Sequence, residues 1–298
     1  MKILVPIDGT RHSLAAVDFV ASRRALVGRD PDVHLLHAQW PAPRDVEMLL
    51  GVRRLRALLA QRVEPIFRPA LRKLEAAEHV THRIEVVGYP GDEIAKAAKK
   101  QRVDLIVMAS RGLSAAKSFF LGSVTGAVLA RTRTPLLIVR GRAAPQGESL
   151  LVGIGVDGSK YSAAAVRYVI KHRSLFGPRP EIVLVHVTPP FIPYPVDMGP
   201  PPLPPYAPAD IEALQAQAYD AAMRPARALL EKAGLAFEET RLSGDPGDVI
   251  AAFATSHRLD VLVMGSHGRG KFAAAILGSV AMRVVARSRI PVLLIRHA

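Results

Sequence analysis

Hydrophobic and polar positions along this chain follow two alternating periods. Short apolar runs rich in β-branched side chains read as buried parallel strands: Lys2–Ile7, Val33–Ala38, Thr81–Val87, Val103–Ala109 and Leu136–Val139. Between them, apolar residues recur three and four apart and read as helices. These are Ser13–Val27, Gly91–Lys100 (opened by a Pro-Gly-Asp turn) and Ser123–Arg131, with a long helical region from about Val46 to Ala77. Pro65 and Pro69 are expected to break that long region. Strands alternating with helices predict a parallel sheet with right-handed crossovers and helices on both faces.

The whole pattern then returns. Val5–Thr10 recurs as Ile154–Ser159, Val33–His37 as Ile182–His186, and Gly88–Asp92 as Gly244–Asp248. Asp104–Gly112 recurs as Asp260–Gly268, Leu121–Val124 as Leu277–Val280, and Pro135–Arg140 as Pro291–Arg296. The order is kept throughout, so the chain is a duplicated domain, with expected units 1–143 and 149–298 and a boundary near Ala143–Ser149. The main difference is Thr188–Asp210, nearly half proline, which cannot be a helix or a central strand. It reads as an extended, semi-rigid surface insertion, with a lid or docking segment as the alternative.

Length and composition fit this picture. The 298 residues suit two domains, and 49% apolar against 22% charged residues is a globular balance. Cysteine is absent, which excludes disulfides, cysteine zinc sites and thiol nucleophiles. The start, MKILVPIDGT, is too short an apolar stretch for a signal peptide, and no run approaches the roughly 18 residues a bilayer requires. The cytoplasm is the default expectation, with no membrane partner. The net charge of +14 favours anionic partners. However, the arginines are scattered and aromatics are only 5%, so solvated helix faces account for the charge better than a nucleic-acid platform.

The candidate chemistry lies in Val261–Arg283. An apolar strand ends at Gly265, passes into a loop with Gly268 and Gly270, and reaches Gly278-Ser279, where a helical pattern starts through Val280, Val284 and Val285. Ser279 is expected as the N-cap. Glycines admit a close ligand, and a helix start offers free N–H groups and a positive dipole end, so this is an anion cradle suited to phosphate. Asp157 ends the first strand of its half. If strands one and four are neighbours, carboxylate and cradle face one crevice, where the acid accepts hydrogen bonds from sugar hydroxyls or a base amino group. Simple helix capping by the D-G-[ST] turn is the alternative for Asp8 and Asp157. Pairing with a glycine loop in both halves makes a nucleotide site the better account.

Gly265–Lys271 also resembles a P-loop, but Phe272 replaces the Mg²⁺-holding Ser/Thr and the first half has no Gly-Lys pair, which leaves a P-loop NTPase a minor alternative. No G-x-S-x-G elbow or HExxH occurs. His34 and His37 point to opposite strand faces and cannot share a metal. His37 and His186 read as core or rim histidines, and the counterpart of His267 is Arg111, so no catalytic or metal-binding residue is assigned. Slow nucleotide hydrolysis is the most that is expected of it as an enzyme.

On these motifs the sequence resembles a tandem universal stress protein. ATP-binding members of that family carry G-x2-G-x9-G-[ST], which Gly265, Gly268, Gly278 and Ser279 match, with Arg269 inside the loop and Val280 after it. The family's acid after the first strand matches Asp157 and Asp8, its adenine-side backbone position matches Val187 and Ala38, and its residue before the glycine loop matches Met264 and Met108. In the first half Gly112, Gly122, Ser123 and Val124 continue the motif, but Ala109 stands in place of the first glycine.

The resemblance implies two Rossmann-like α/β domains of the adenine nucleotide alpha hydrolase-like type, each a five-stranded parallel sheet of order 3-2-1-4-5. It implies ATP, with Mg²⁺ as an optional companion, in the crevice between strands one and four. It further implies domain pairing through the last strands, around Leu136–Val139 and Val292–Ile295, with a homodimer and an unnamed protein partner as further options. A methyl group at Ala109 is expected to block a positive φ or crowd a phosphate, costing on the order of 1 kcal/mol, about tenfold or less in affinity. Leu113 and Ala115 also replace the cationic Arg269 and Lys271. The second domain is therefore expected to be the stronger ATP site of a nucleotide-dependent stress-response regulator. The alternative is a structural or interaction member that binds no ATP.

Overall fold

A computed structural model describes residues 1–26, 32–110, 122–140, 144–145, 147–188, 208–268 and 277–296. In the first half β1 (Lys2–Pro6), α1 (Arg11–Ala21), β2 (Asp32–Gln39), α2 (Arg44–Leu50), α3 (Val52–Ala76) and β3 (Val80–Val87) are followed by α4 (Pro90–Gln101), β4 (Leu105–Ala109), α5 (Ser123–Arg131) and β5 (Leu136–Val139). The second half repeats them as β6 (Leu151–Gly155), α6 (Lys160–Lys171), β7 (Glu181–Thr188), α7 (Pro208–Lys232), β8 (Glu238–Ser243), α8 (Pro246–Ser256), β9 (Val261–Gly265), α9 (Ser279–Arg287) and β10 (Val292–Ile295).

Each half has the expected order. β1 pairs with β2 and β4, β2 with β3 and β4 with β5, all parallel, and β6, β7, β8, β9 and β10 repeat the arrangement. The last strands then join antiparallel, Val292 opposite Ile138 and Leu293 opposite Leu137, which merges the halves into one ten-stranded sheet. The edge that would end each half is thereby covered. Side chains alternate across this joint. Leu137 and Leu293 enter the core beneath α1, α3, α6 and α7, while Leu136, Ile138, Val292 and Leu294 enter the one beneath α4, α5, α8 and α9. Both apolar layers therefore run through both halves.

The D-G-[ST] turns start the first helix of each half. Gly9 and Gly158 take φ of +79° and +77°, a left-handed conformation cheap only for glycine. Thr10 and Ser159 then cap α1 and α6, accepting from the amides of Ser13 and Ser162. Two expectations are corrected. Pro65 and Pro69 do not break the long helix, because α3 runs unbroken from Val52 to Ala76 and the chain bends instead at Gly51, where φ is +73°. Both prolines lie on the exposed side of α3, while Val63, Phe67, Ala70 and Leu74 bury the other side. Helix α1 also stops at Ala21, short of Val27, and a 3-10 turn follows at Arg24–Leu26. The proline-rich stretch, from 189 to 207, lies outside the described residues. No helix among the described residues is long and apolar enough to cross a membrane.

Candidate functional site

Strand order reverses at β6, which has β7 on one side and β9 on the other. In a parallel sheet that reversal opens a crevice at the carboxyl ends of the strands. A cavity of about 520 Å³ occupies it, within the range of small-molecule sites. Of the residues expected there, Asp157, Val187, Met264, Gly265, Gly268, Gly278, Ser279 and Val280 all line this cavity. Arg269 lies outside the described residues.

Each wall has a local cause. Val185, Val187, Ile250, Met264 and Leu277 make an apolar side continuous with the core under α8 and α9. Asp157 follows β6, and its Oδ1 accepts the Ser159 amide at 2.9 Å, which holds the carboxylate at the mouth. Its other oxygen leaves no room beside Gly268: a Cβ there would sit 2.7 Å from Asp157 Oδ2. Gly278 is likewise close-packed: a Cβ there would sit 3.3 Å from the Ser266 carbonyl oxygen and from His267 Cα. The Gly278 amide donates to that same carbonyl at 2.8 Å, and the Ser266 amide donates to Ile295 O at 2.8 Å. The loop is thereby stitched to β10.

Gly278, not Ser279, is the N-cap of α9, and it makes no side-chain cap hydrogen bond. Ser279 is the first helical residue, because the Gly278–Ser266 bond sets where the chain turns into the helix. Ser279, Val280, Ala281 and Met282 of the first turn all line the cavity, at the helix end where unpaired N–H groups and the dipole favour an anion. On the rim, the His267 ring lies 5.3 Å from that of Tyr161, with Ser266 Oγ 3.0 Å from His267 Nδ1 and Lys160 Nζ 5.2 Å from the Tyr161 ring.

His186 was expected as a core or rim residue; it is buried and forms part of the cavity wall. Its Nδ1 is 2.7 Å from Val156 O, and His37 Nδ1 is 2.9 Å from Ile7 O, so each half ties its second strand to the end of its first. Ser162, Pro246, Ile250 and Leu277 also line the cavity and were not singled out from the sequence. The repeated G-x-P-G-D turn, which opens α4 and α8, is the signal that pointed to this helix.

In the first half Asp8 follows β1 at the second residue beyond it, Ala38 lies near the end of β2, and Met108 is buried in β4. Gly122 caps α5, Ser123 begins it and Val124 follows. Gly112 lies outside the described residues. Burial raises the Asp8 pKa, but hydrogen bonds from the Thr10 hydroxyl and amide and from Ser13 outweigh it, and the net shift is downward. His34 faces Asp32 at 3.0 Å, well apart from His37, and the described residues contain no group of three side chains placed for a metal.

Gly265 has a different cause from the one expected. Its φ is not positive, and a Cβ on it would meet α6, 2.7 Å from Tyr161 Cβ and 2.9 Å from the Tyr161 carbonyl carbon. The glycine lets the helix sit down on β9. In the first half Ala109 packs its methyl against the core under α1.

Comparison with known proteins agrees with this architecture. The model of the universal stress protein family matches residues 1–140 and again 151–296. A universal stress protein of Mycolicibacterium smegmatis is 26% identical over 99% of this chain and 96% of its own length. One from Thermus aquaticus is 40% identical over 46% of this chain and 97% of its own length. The crystal structure of a universal stress protein from Archaeoglobus fulgidus superposes with a TM-score of 0.69 at 21% identity, covering 100% of this chain and 96% of that one. Two successive matches, a duplicated strand order and a relative matched over nearly its full length have one explanation: the chain belongs to the universal stress protein family, with two family domains in tandem.

Proposed function

We propose that this protein binds ATP at the carboxyl ends of β6 and β9, and that occupancy of this site regulates its part in a stress response. The observation that carries this is one cavity combining the Asp157 carboxylate, an apolar slot and the uncapped first turn of α9. The fit to a nucleotide is chemical as well as spatial. Asp157 would accept from the ribose hydroxyls, and the backbone at Val187 with the Met264 side chain would hold the base. Gly268, Gly278, Ser279, Val280 and Arg269 would receive the phosphates, with the α9 dipole favouring their charge. Bound Mg²⁺ would be held chiefly by the phosphates themselves.

On the same reading, the units 1–143 and 149–298 each carry such a site, the first using Asp8, Ala38, Met108, Gly112, Gly122, Ser123 and Val124. The second is the stronger, because Arg269 and Lys271 stand where the first has Leu113 and Ala115. No residue is assigned to hydrolysis. The test is mass spectrometry of nucleotide released from the purified, denatured protein, together with thermal unfolding in added ATP. A ligand at about a hundred times its Kd stabilises the folded state by about 2.7 kcal/mol. Absence of both released nucleotide and a thermal shift would overturn the proposal in favour of a member that acts by interaction alone.

A further inference from the structure

The joint between the halves carries a pair of arginines at matching places in the repeat. Arg140 directly follows β5 and Arg296 directly follows β10. Each crosses to a helix of the other half. Arg140 Nη1 donates to Ala286 O at 2.9 Å, in the last turn of α9, and Arg296 Nη1 donates to Leu129 O in the last turn of α5. The last four carbonyls of a helix have no partner within it and carry the negative end of its dipole, so a guanidinium there is doubly matched. Arg140 is only 6% exposed, so this contact forms away from bulk water.

Helices α9 and α5 are the two that begin at the Gly-Ser cradles, Gly278-Ser279 and Gly122-Ser123. Helix α9 has only nine residues, about 13 Å end to end at 1.5 Å per residue, and transmits a tilt at one end directly to the other. Its first turn is tied through Gly278 and Ser266 to Ile295 of β10, and its last turn is held by Arg140 from the opposite half. Along its side, Arg283 and Arg287 pair with Asp245 and Asp248 near the start of α8, a helix of the same half.

We propose that Arg140, a residue of the first half, is a positioning residue for the nucleotide site of the second: by anchoring the last turn of α9 across the joint, it fixes the first turn at the phosphate cradle. Arg296 does the same in reverse for α5. This rests on the ATP reading above. It makes the tandem arrangement functional, because neither cradle is fully held by its own half.

The experiment uses the full chain and 8-azido-ATP, with photolabelled peptides assigned to each half by mass spectrometry across a concentration series. The variants are R140Q, R140K and R296Q. R140Q should shift half-saturation of second-half labelling about five- to tenfold upward. R140K, which keeps a cation but not the planar fork, should shift it about twofold, which keeps the test readable should R140Q fail to fold. R296Q should leave second-half labelling as in the parent while lowering thermal stability about as much as R140Q does. Unchanged second-half labelling in R140Q, or an equal loss in R296Q, would overturn the proposal and reduce both arginines to general struts. Absence of saturable labelling in the parent chain would overturn the nucleotide reading itself, and this inference with it.

Discussion

Replacing Gly265 by alanine separates two explanations for the glycine that opens the cradle. On the first, a methyl group crowds the phosphates, and the variant folds normally but loses ATP. On the second, the methyl group crowds α6, and the variant loses stability first. The distances favour the second, because the new Cβ would lie 2.7 Å from Tyr161 Cβ and 2.9–3.0 Å from the Tyr161 carbonyl atoms. Restoring an ordinary contact of about 3.4 Å requires α6 to retreat by about 0.7 Å. Two of those three atoms are backbone, so no rotamer change relieves the clash. Overpacking of this kind costs about 1–3 kcal/mol, and each kcal/mol lowers Tm by about 2–4 °C in domains of this size. We expect G265A to unfold several degrees below the parent in calorimetry. ATP affinity measured well below Tm should change less than about threefold. The reciprocal A109G should gain no ATP affinity in the first half, since the Ala109 methyl packs into the core. A G265A variant that melts like the parent yet no longer binds ATP would refute the packing account and restore phosphate crowding.

Three further outcomes follow from the same geometry. G268V places a branched side chain where Asp157 Oδ2 already stands, so it should weaken ATP at least tenfold by equilibrium titration while moving Tm little. The folded Asp8 pKa lies below its unfolded value of 3.8, so its contribution to stability is complete above that pH and disappears as pH falls through the lower folded value. D8N should therefore be less stable than the parent at neutral pH, with the gap closing as denaturation is followed into acid below about pH 4. At the joint, Leu293 is fully buried opposite Leu137, and L293A should cost about 2–5 kcal/mol in chemical denaturation. An L293A variant as stable as the parent would show that the joint bears little of the fold's stability.

Much of this architecture could be read from the chain because its strands are buried on both faces, which writes them as uninterrupted apolar runs. β9 and β10 are buried at every position, and both were placed to within a residue or two. The edge strands β3 and β8 are more exposed and alternate; β3 is legible in its own stretch, Thr81–Val87, whereas β8 falls between the repeated motifs and has no such run. Helix α3 is hard to read from the chain because its two prolines are local breakers, each worth about 3 kcal/mol. Burial of Val63, Phe67 and Leu74, at about 1.5–3 kcal/mol each, is of the same size, and prolines on the convex, solvent side of a helix leave its packed side intact. The repeat held a warning: Pro225 lies inside α7, at the position of Pro69 in α3.

The glycines of the cradle show what a motif can and cannot convey. Their spacing located the cavity, and eight of the expected residues do line it. Their separate reasons were not written in the spacing, because a glycine records only that something stands close by and not what. Beside Gly268 it is a carboxylate of the site, beside Gly278 a loop carbonyl, and beside Gly265 the backbone of a helix packed behind the strand. Ala109 therefore departs from the motif at the position whose neighbour in the second half belongs to the scaffold rather than to the ligand. On the packing account a weaker first-half site would have a chemical cause: Leu113 and Ala115 would offer a polyphosphate none of the charge that Arg269 and Lys271 carry.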